Sequence, residues 1–203
     1  TEPLPEVTRW RPLSVDDAAA VFRPLGVSWW IAGGWAIDLF AGRQTRDHGD
    51  IDIAMLRDDA RALGALAAEF DIVIAYDGAL TPWDGGALVE PYHQFWARRR
   101  GDDAWAFEVL LERQDGDAWI YRRDARITRP LASFGRTARD GLPCVAPEIA
   151  LLYKSTTSAT SGIERNAADF RVAAPLLDAD ARRWLRDAIA LIDPPHPWPA
   201  VLS

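Results

Sequence analysis

Apolar and polar positions follow two rhythms along this chain. Short apolar runs dominate up to about residue 122, and from Pro147 the spacing turns helical. Ser14 precedes Val15-Asp16-Asp17 and an Ala-rich stretch, which predicts an N-capped helix ending near Gly26. Trp29-Trp30-Ile31-Ala32 is an apolar run stopped by Gly33-Gly34, the mark of a strand. Trp35 to Ala41 places apolar residues at helical spacing and ends at Gly42, a residue suited to the left-handed position after a helix. Ile51, Ile53 and Met55 alternate with Asp50, Asp52 and Ala54, which predicts a strand with one apolar face. An amphipathic helix is expected over 58–70, a strand over 71–76, and a loop over 77–90, where Gly78, Pro82, Gly85 and Gly86 cluster. Strands follow at about 92–99, 104–112 and 117–122. Helices are then expected at 147–156, 164–177 and 179–192, with Pro147 at a first helical position. The Pro-rich segment 194–197 cannot continue the last of them, and residues 1–13 read as an irregular lead-in. Mixed strands and helices followed by helices alone give an α+β fold class. The expected division is a sheet-bearing core over 1–145 and a helical subdomain over 146–203.

Composition narrows the classes. The chain has 203 residues, about half of them hydrophobic, enough for a sizeable core. No apolar run is long enough to span a bilayer, and no signal-peptide pattern opens the sequence. Cys144 is the single cysteine, which excludes an intrachain disulfide; a cytoplasmic location is expected, with no membrane partner. The formal net charge of -7 repels phosphate backbones, so no nucleic-acid partner is expected, and it suits a cationic acceptor. The ten tryptophans are read mainly as packing residues, with a stacking surface for a base or sugar as the other reading.

The chemistry concentrates between Trp30 and Ile53. A strand ends in Gly33-Gly34 and a helix starts directly after. Glycine lets backbone approach a ligand closely, and the amides of a helix N-terminus point at anions, so the pair can cradle phosphates. Asp50 and Asp52, two apart on a strand, point to one face. Two such carboxylates repel unless a cation lies between them, and oxygen ligands of this kind suit magnesium. Either motif alone is weak; the order strand, diglycine, helix, paired aspartates is much stronger.

The combination Gly33-Gly34 with Asp50-Ile51-Asp52 resembles the signature of the DNA-polymerase-β-like nucleotidyltransferases. The longer string Gly-Gly-Trp-Ala-Ile-Asp, then Gly-Arg-Gln-Thr-Arg-Asp-His-Gly-Asp-Ile-Asp, is similar to small aminoglycoside 2″-nucleotidyltransferases and lincosamide nucleotidyltransferases, densely over residues 29–55. Segments 146–154, 168–170 and 175–177 resemble the helical half of related proteins, with Arg165-Asn166 where relatives carry Lys-Asp. The resemblance implies a polymerase-β-like core followed by a helical bundle. It also implies transfer of an NMP, AMP foremost, from an NTP to a hydroxyl of a small-molecule acceptor, with two magnesium ions. It calls for a third carboxylate on a neighbouring strand: Glu108, charged within an apolar run, is preferred to Glu112. Asp50, Asp52 and Glu108 are thus the candidate catalytic and metal residues. Gly33, Gly34, Arg46, His48 and Lys154 are the candidate nucleotide contacts. His48 is read equally as a structural loop histidine, and Lys154 also as a snorkelling surface lysine. Asp38 is expected to face solvent or cap locally, and Asp47 and Asp169 to pair with arginines. Arg98-Arg99-Arg100 is expected at a solvated hairpin end, and His93 and Trp96 either line the acceptor cleft or pack in the core. Three further readings stay open: nucleotidylation of a protein side chain, as in toxin–antitoxin systems; a non-catalytic nucleotide-binding relative; and a tryptophan-rich interaction module. The sequence leaves oligomeric state undetermined.

Overall fold

A computed structural model of the chain describes residues 4–156 and 160–203. Ser14 caps α1 (Val15–Phe22), its hydroxyl accepting from the Asp17 amide at 3.1 Å. Strand β1 (Trp29–Ile31) leads into α2 (Gly33–Ala41), which Gly42 ends with φ +71°. Then come β2 (Asp52–Leu56), a 3-10 helical run over Arg57–Ala68, β3 (Phe70–Tyr76) and β4 (Ala79–Pro82). Strands β5 (Gln94–Arg99), β6 (Phe107–Asp115), β7 (Ala118–Ile120), β8 (Thr128–Pro130), β9 (Gly135–Thr137) and β10 (Pro143–Val145) complete the sheet. The chain closes with α3 (Pro147–Ser155), α4 (Thr160–Ala173), α5 (Ala179–Ile192) and α6 (Trp198–Val201). No helix among the described residues is long and apolar enough to cross a membrane.

The sheet runs β4-β3-β5-β6-β2-β1-β10-β9, with β7 on the far end of β6 and β8 beside it. The pairs β2·β6 and β1·β10 are parallel and the rest antiparallel, so the α+β class holds. Central β2 is covered on both faces. Its odd-numbered side chains Ile53 and Met55 lie over a layer in which Phe107 meets Phe22 and Phe70, ring centres 5.2 and 5.1 Å apart. The even-numbered face of β2 and β6 carries Asp52, Glu108 and Glu112, and Glu112 reaches Tyr153 of α3. Helix α2 packs on β2 and β10 and meets α3 and α4, which brings the helical part of the chain against this face.

Several expectations need correction. Residues 79–82, expected as loop, form β4 because Ala79 to Pro82 pair with Tyr76 to Val73 across a tight turn at Asp77 and Gly78. The segment 123–146, for which no element was expected, supplies β8, β9 and β10; their three-residue runs are too short for a periodicity to register. The helix expected from residue 58 is a 3-10 run, and Phe70 already begins β3. The lead-in is irregular as expected, yet it is tied down: residues 9–13 lie extended along Trp105 and Ala106, with Arg11 N donating to Trp105 O at 2.9 Å, while its first three residues fall outside the described residues. Arg98 is not at a solvated hairpin end. It is 4% exposed and its guanidinium donates to Asp71 at 3.1 Å, and only Arg99 and Arg100 face solvent.

Candidate functional site

Backbone bonds bring the diglycine, the aspartate pair and β6 together. The Ala32 amide donates to Asp52 O at 2.8 Å and the Glu108 amide to Ile51 O at 3.0 Å. In the parallel β2·β6 register Asp52 stands beside Glu108, so their Cβ atoms share a face about one strand spacing, roughly 4.8 Å, apart. Asp50 lies just ahead of β2 and is exposed. Gly33 has φ +59°, a conformation that favours glycine. A Cβ there would stand 1.8 Å from Asp52 Oδ2, so the glycine is what lets the helix start meet the carboxylate. Ala32 caps α2 in extended conformation with no side-chain hydrogen bond. The first amides of the helix therefore lack a side-chain cap, an arrangement that suits an anion.

The carboxylates strain against one another. Burial, then the charge of Asp50, pushes the Asp52 carboxyl up to about 7, with Lys154 and Arg46 opposing. Burial, then Asp52 and Asp50, raises Glu108 well above the carboxylate range, although Gln94 Nε2 donates to its Oε1 at 2.7 Å. Trp96, opposite Glu108 on β5, turns its indole N–H the same way without closing a hydrogen bond, so its support is weak. Among the described residues no three His, Cys, Asp or Glu side chains form a ready-made metal cage. The donor set nevertheless fits magnesium, which is commonly held by one or two carboxylates completed by substrate phosphates. Removing the mutual repulsion of two half-buried carboxylates is what a divalent cation would do here.

The basic residues are held from behind. Arg46 forms a two-pronged pair with Asp169, Nε to Oδ1 at 3.0 Å and Nη2 to Oδ2 at 3.2 Å, and Lys154 Nζ lies 2.7 Å from Oδ2. Burial alone would raise the Asp169 carboxyl, but these two partners outweigh it and hold it below its ordinary value. Lys154 is therefore no snorkelling surface lysine: its side chain is largely buried in this cluster. His48 is buried too. Its ring stacks on Trp35 at 4.3 Å, and Nε2 shares a 2.7 Å hydrogen bond with Asp38 Oδ2. At Gly34 an added Cβ would meet Arg46 Nη2 at 2.2 Å and His48 Nδ1 at 2.7 Å, so both basic side chains converge on the diglycine.

Asp38 corrects the expectation that it faces solvent: it is 3% exposed and also accepts from Thr45 Oγ1 at 2.5 Å. The signal was present, since Asp38 lies four residues after Gly34 and so on the same helix face. Gln94 was missed altogether; its even parity on β5 could have placed it beside the carboxylates. Glu112 stands four residues along β6 from Glu108, opposite Leu56, where it accepts from Trp119 Nε1 at 2.8 Å and Tyr153 OH at 2.7 Å. Both donors meet the same oxygen, Oε2, which ties Glu112 to β7 and α3. Trp96 packs edge-on against Trp10 and Trp105, and His93 bonds the Pro91 carbonyl. A cavity of about 650 Å³ is lined by residues such as Trp83, Asp71 and Arg98 and by none of the cluster. A smaller one of about 250 Å³ touches Trp35 and Asp38. The chemistry, not the cavity volume, marks the site.

Residues 14–82 match the family model described as aminoglycoside-2″-adenylyltransferase. Over 33 residues the chain is 46% identical to a lincosamide resistance protein of Staphylococcus haemolyticus, covering 16% of this chain. That match spans about a fifth of the relative's length, 20%. Among solved structures, a lincomycin-bound lincosamide antibiotic adenylyltransferase superposes with TM-score 0.54 at 16% identity, covering 79% of this chain and 98% of its own. The enzyme ANT(2″)-Ia in complex with adenylyl-2″-tobramycin gives 0.51 at 20%, covering 86% and 93%. An antigenic nucleotidyltransferase-like protein from Paracoccidioides brasiliensis gives 0.50 at 16%, covering 95% and 94%. At these identities the likeness to solved structures is one of fold: a mixed sheet with flanking helices, followed by C-terminal helices.

Proposed function

We propose, from the premise that this chain is a relative of the aminoglycoside and lincosamide adenylyltransferases, that it transfers an NMP, AMP foremost, from an NTP to a hydroxyl of a small-molecule acceptor. The acceptor oxygen attacks the α-phosphorus in line, a new P–O bond forms, and the bond to the leaving pyrophosphate breaks. The Gly33 and Gly34 amides receive phosphate oxygens, and Arg46, Lys154 and His48 surround them. Asp50, Asp52 and Glu108 would hold magnesium, two ions by the family pattern, which when bound supplies Lewis acidity for the attacking and leaving oxygens. Glu108, kept well above its ordinary value by burial and by Asp52, is suited to take the hydroxyl proton when it is not committed to metal. Catalysis then comes mainly from positioning and charge neutralisation. The observation that carries this reading is the contact of Gly33 with Asp52, where no side chain fits between helix start and carboxylate.

An aminoglycoside-like acceptor is the favoured class. The family model over residues 14–82 and the tobramycin adduct of one relative support it, as do the formal net charge of -7 and the exposed Asp47 and Asp50 beside the cluster. The acceptor would enter between the sheet-bearing part, up to residue 145, and the helical part from 146 onward. Calorimetric titration of aminoglycosides and lincosamides, with magnesium and a non-hydrolysable NTP present, tests it. Binding of the NTP with no binding of any antibiotic would remove the acceptor class and leave the nucleotidyl-transfer reading in place.

A further inference from the structure

Arg46 and Lys154 come from distant parts of the chain, the loop before β2 and helix α3, yet converge on one carboxylate of α4. Both side chains are long and flexible, and each loses much rotamer freedom when it is held in one geometry. Something must hold them if they are to receive a triphosphate in fixed geometry. Resting on the nucleotidyltransferase reading, we propose that Asp169 is a positioning residue for the nucleotide: it orients Arg46 and Lys154 so that their remaining donors face the triphosphate.

The donor count supports this role. Arg46 uses Nε and one Nη2 proton on Asp169 and one Nη1 proton on Asp47 O at 3.1 Å. A guanidinium has five N–H groups, so two are left, and the Lys154 ammonium keeps two of its three. The Arg46 donors are aimed at the site, since Nη2 reaches within 2.2 Å of a Cβ built on Gly34. Both cations also act on Asp52, which places them within electrostatic reach of the carboxylate cluster. Asn166, one turn before Asp169 on α4, donates its amide to Lys154 O at 3.1 Å and fixes the backbone that carries the lysine.

The charge count agrees. Two cations around one carboxylate that is 1% exposed leave a surplus positive charge facing the diglycine. Without Asp169 the two cations would repel each other and swing apart. A tie between the two parts of the chain would need only one ion pair, and buried ion pairs stabilise little relative to apolar replacements. The forked grip on Arg46 and the second contact to Lys154 are explained by what they orient.

The test measures magnesium-dependent binding of a non-hydrolysable ATP analogue by calorimetry, with thermal melts confirming that each variant is folded. Asp169→Asn is expected to bind about tenfold more weakly, on the scale of lost outer partners at charged sites. Asp169→Glu, which keeps the charge but moves it by a methylene, should fall between. Arg46→Gln and Asp169→Asn should combine less than additively, because one acts through the other. Wild-type affinity in folded Asp169→Asn, or full additivity, would overturn the proposal. If Asp169→Asn does not fold, Asp169→Glu decides: weaker binding supports the role and unchanged binding refutes it. No NTP binding by the wild-type protein would instead refute the nucleotidyltransferase reading itself, and this inference with it.

Discussion

Replacing Gly33 by alanine should break the site by a route that can be worked out from the backbone. At φ +59° a non-glycine residue costs about 1–2 kcal/mol. The new methyl would stand 1.8 Å from Asp52 Oδ2, 2.9 Å from its Cγ and 3.3 Å from its Cβ. Asp52 has a short side chain on a central strand, so it cannot simply swing clear, and overpacking of this kind adds about 1–3 kcal/mol. Gly33→Ala should therefore lose roughly 2–5 kcal/mol of stability and most of its nucleotide affinity. Gly34→Ala is the contrast. Gly34 is without a positive φ, and its methyl would meet Arg46 Nη2 at 2.2 Å, the tip of a flexible side chain that can move. It should melt within about 1 kcal/mol of the parent while binding the triphosphate more weakly. Chemical denaturation and a fluorescent-nucleotide titration of the three proteins would check both. A Gly33→Ala protein with parental stability and parental affinity would refute the claim that helix start and carboxylate share that space.

Four further outcomes follow from the same geometry. With Asp52 raised to about 7, the folded protein holds a proton there between about pH 4 and 7 that the unfolded chain has lost; metal-free stability should fall as pH rises through that window, by at most a few kcal/mol in order of magnitude, and Asp52→Asn should flatten this slope in denaturation curves, leaving the part that the raised Glu108 carboxyl contributes. Magnesium must displace the protons held by Asp52 and Glu108, so its affinity, followed calorimetrically, should rise with pH through about 7. Glu108→Gln should relieve repulsion and raise the metal-free melting temperature while abolishing turnover, whereas Glu112→Ala should strand the Trp119 and Tyr153 donors and cost about 2–4 kcal/mol. Asp38→Ala should free His48 and Thr45 in a buried place, cost about 2 kcal/mol and weaken nucleotide binding; parental behaviour in both assays would show that the Asp38–His48 pair does not serve the cradle.

Much of the site was legible because its determinants are local. Strand, diglycine, helix and paired aspartates lie within 25 residues, and their periodicities differ enough to be separated. The pairing of Asp52 with Glu108 was readable only as a preference, since parity along β6 treats Glu108 and Glu112 alike. What separates them is register: Glu108 lies opposite Asp52 and Glu112 opposite Leu56, a relation fixed by the β2·β6 contact and not by either strand alone. Asp38 was undervalued because its partners, Thr45 and His48, come from the loop after α2, which has no periodicity to place them. Asp169 pairs with an arginine as expected, but which arginine was not readable, since Arg46 lies 123 residues away. The same limit hid β8 to β10, which are held by neighbours and not by a pattern of their own, and it hid the burial of Arg98 by Asp71.

The central claim is that the Asp50–Asp52–Glu108 cluster, facing the Gly33–Gly34 helix start, carries magnesium-dependent nucleotidyl transfer. The most direct test is pyrophosphate release from each NTP, with magnesium and a panel of aminoglycosides and lincosamides, by the wild-type protein and by Asp52→Asn. The expected result is release that requires magnesium, an NTP and an acceptor, a product heavier than the acceptor by one nucleotidyl group, and loss of both in folded Asp52→Asn. Turnover that persists undiminished in Asp52→Asn, or that needs no divalent cation, would contradict it.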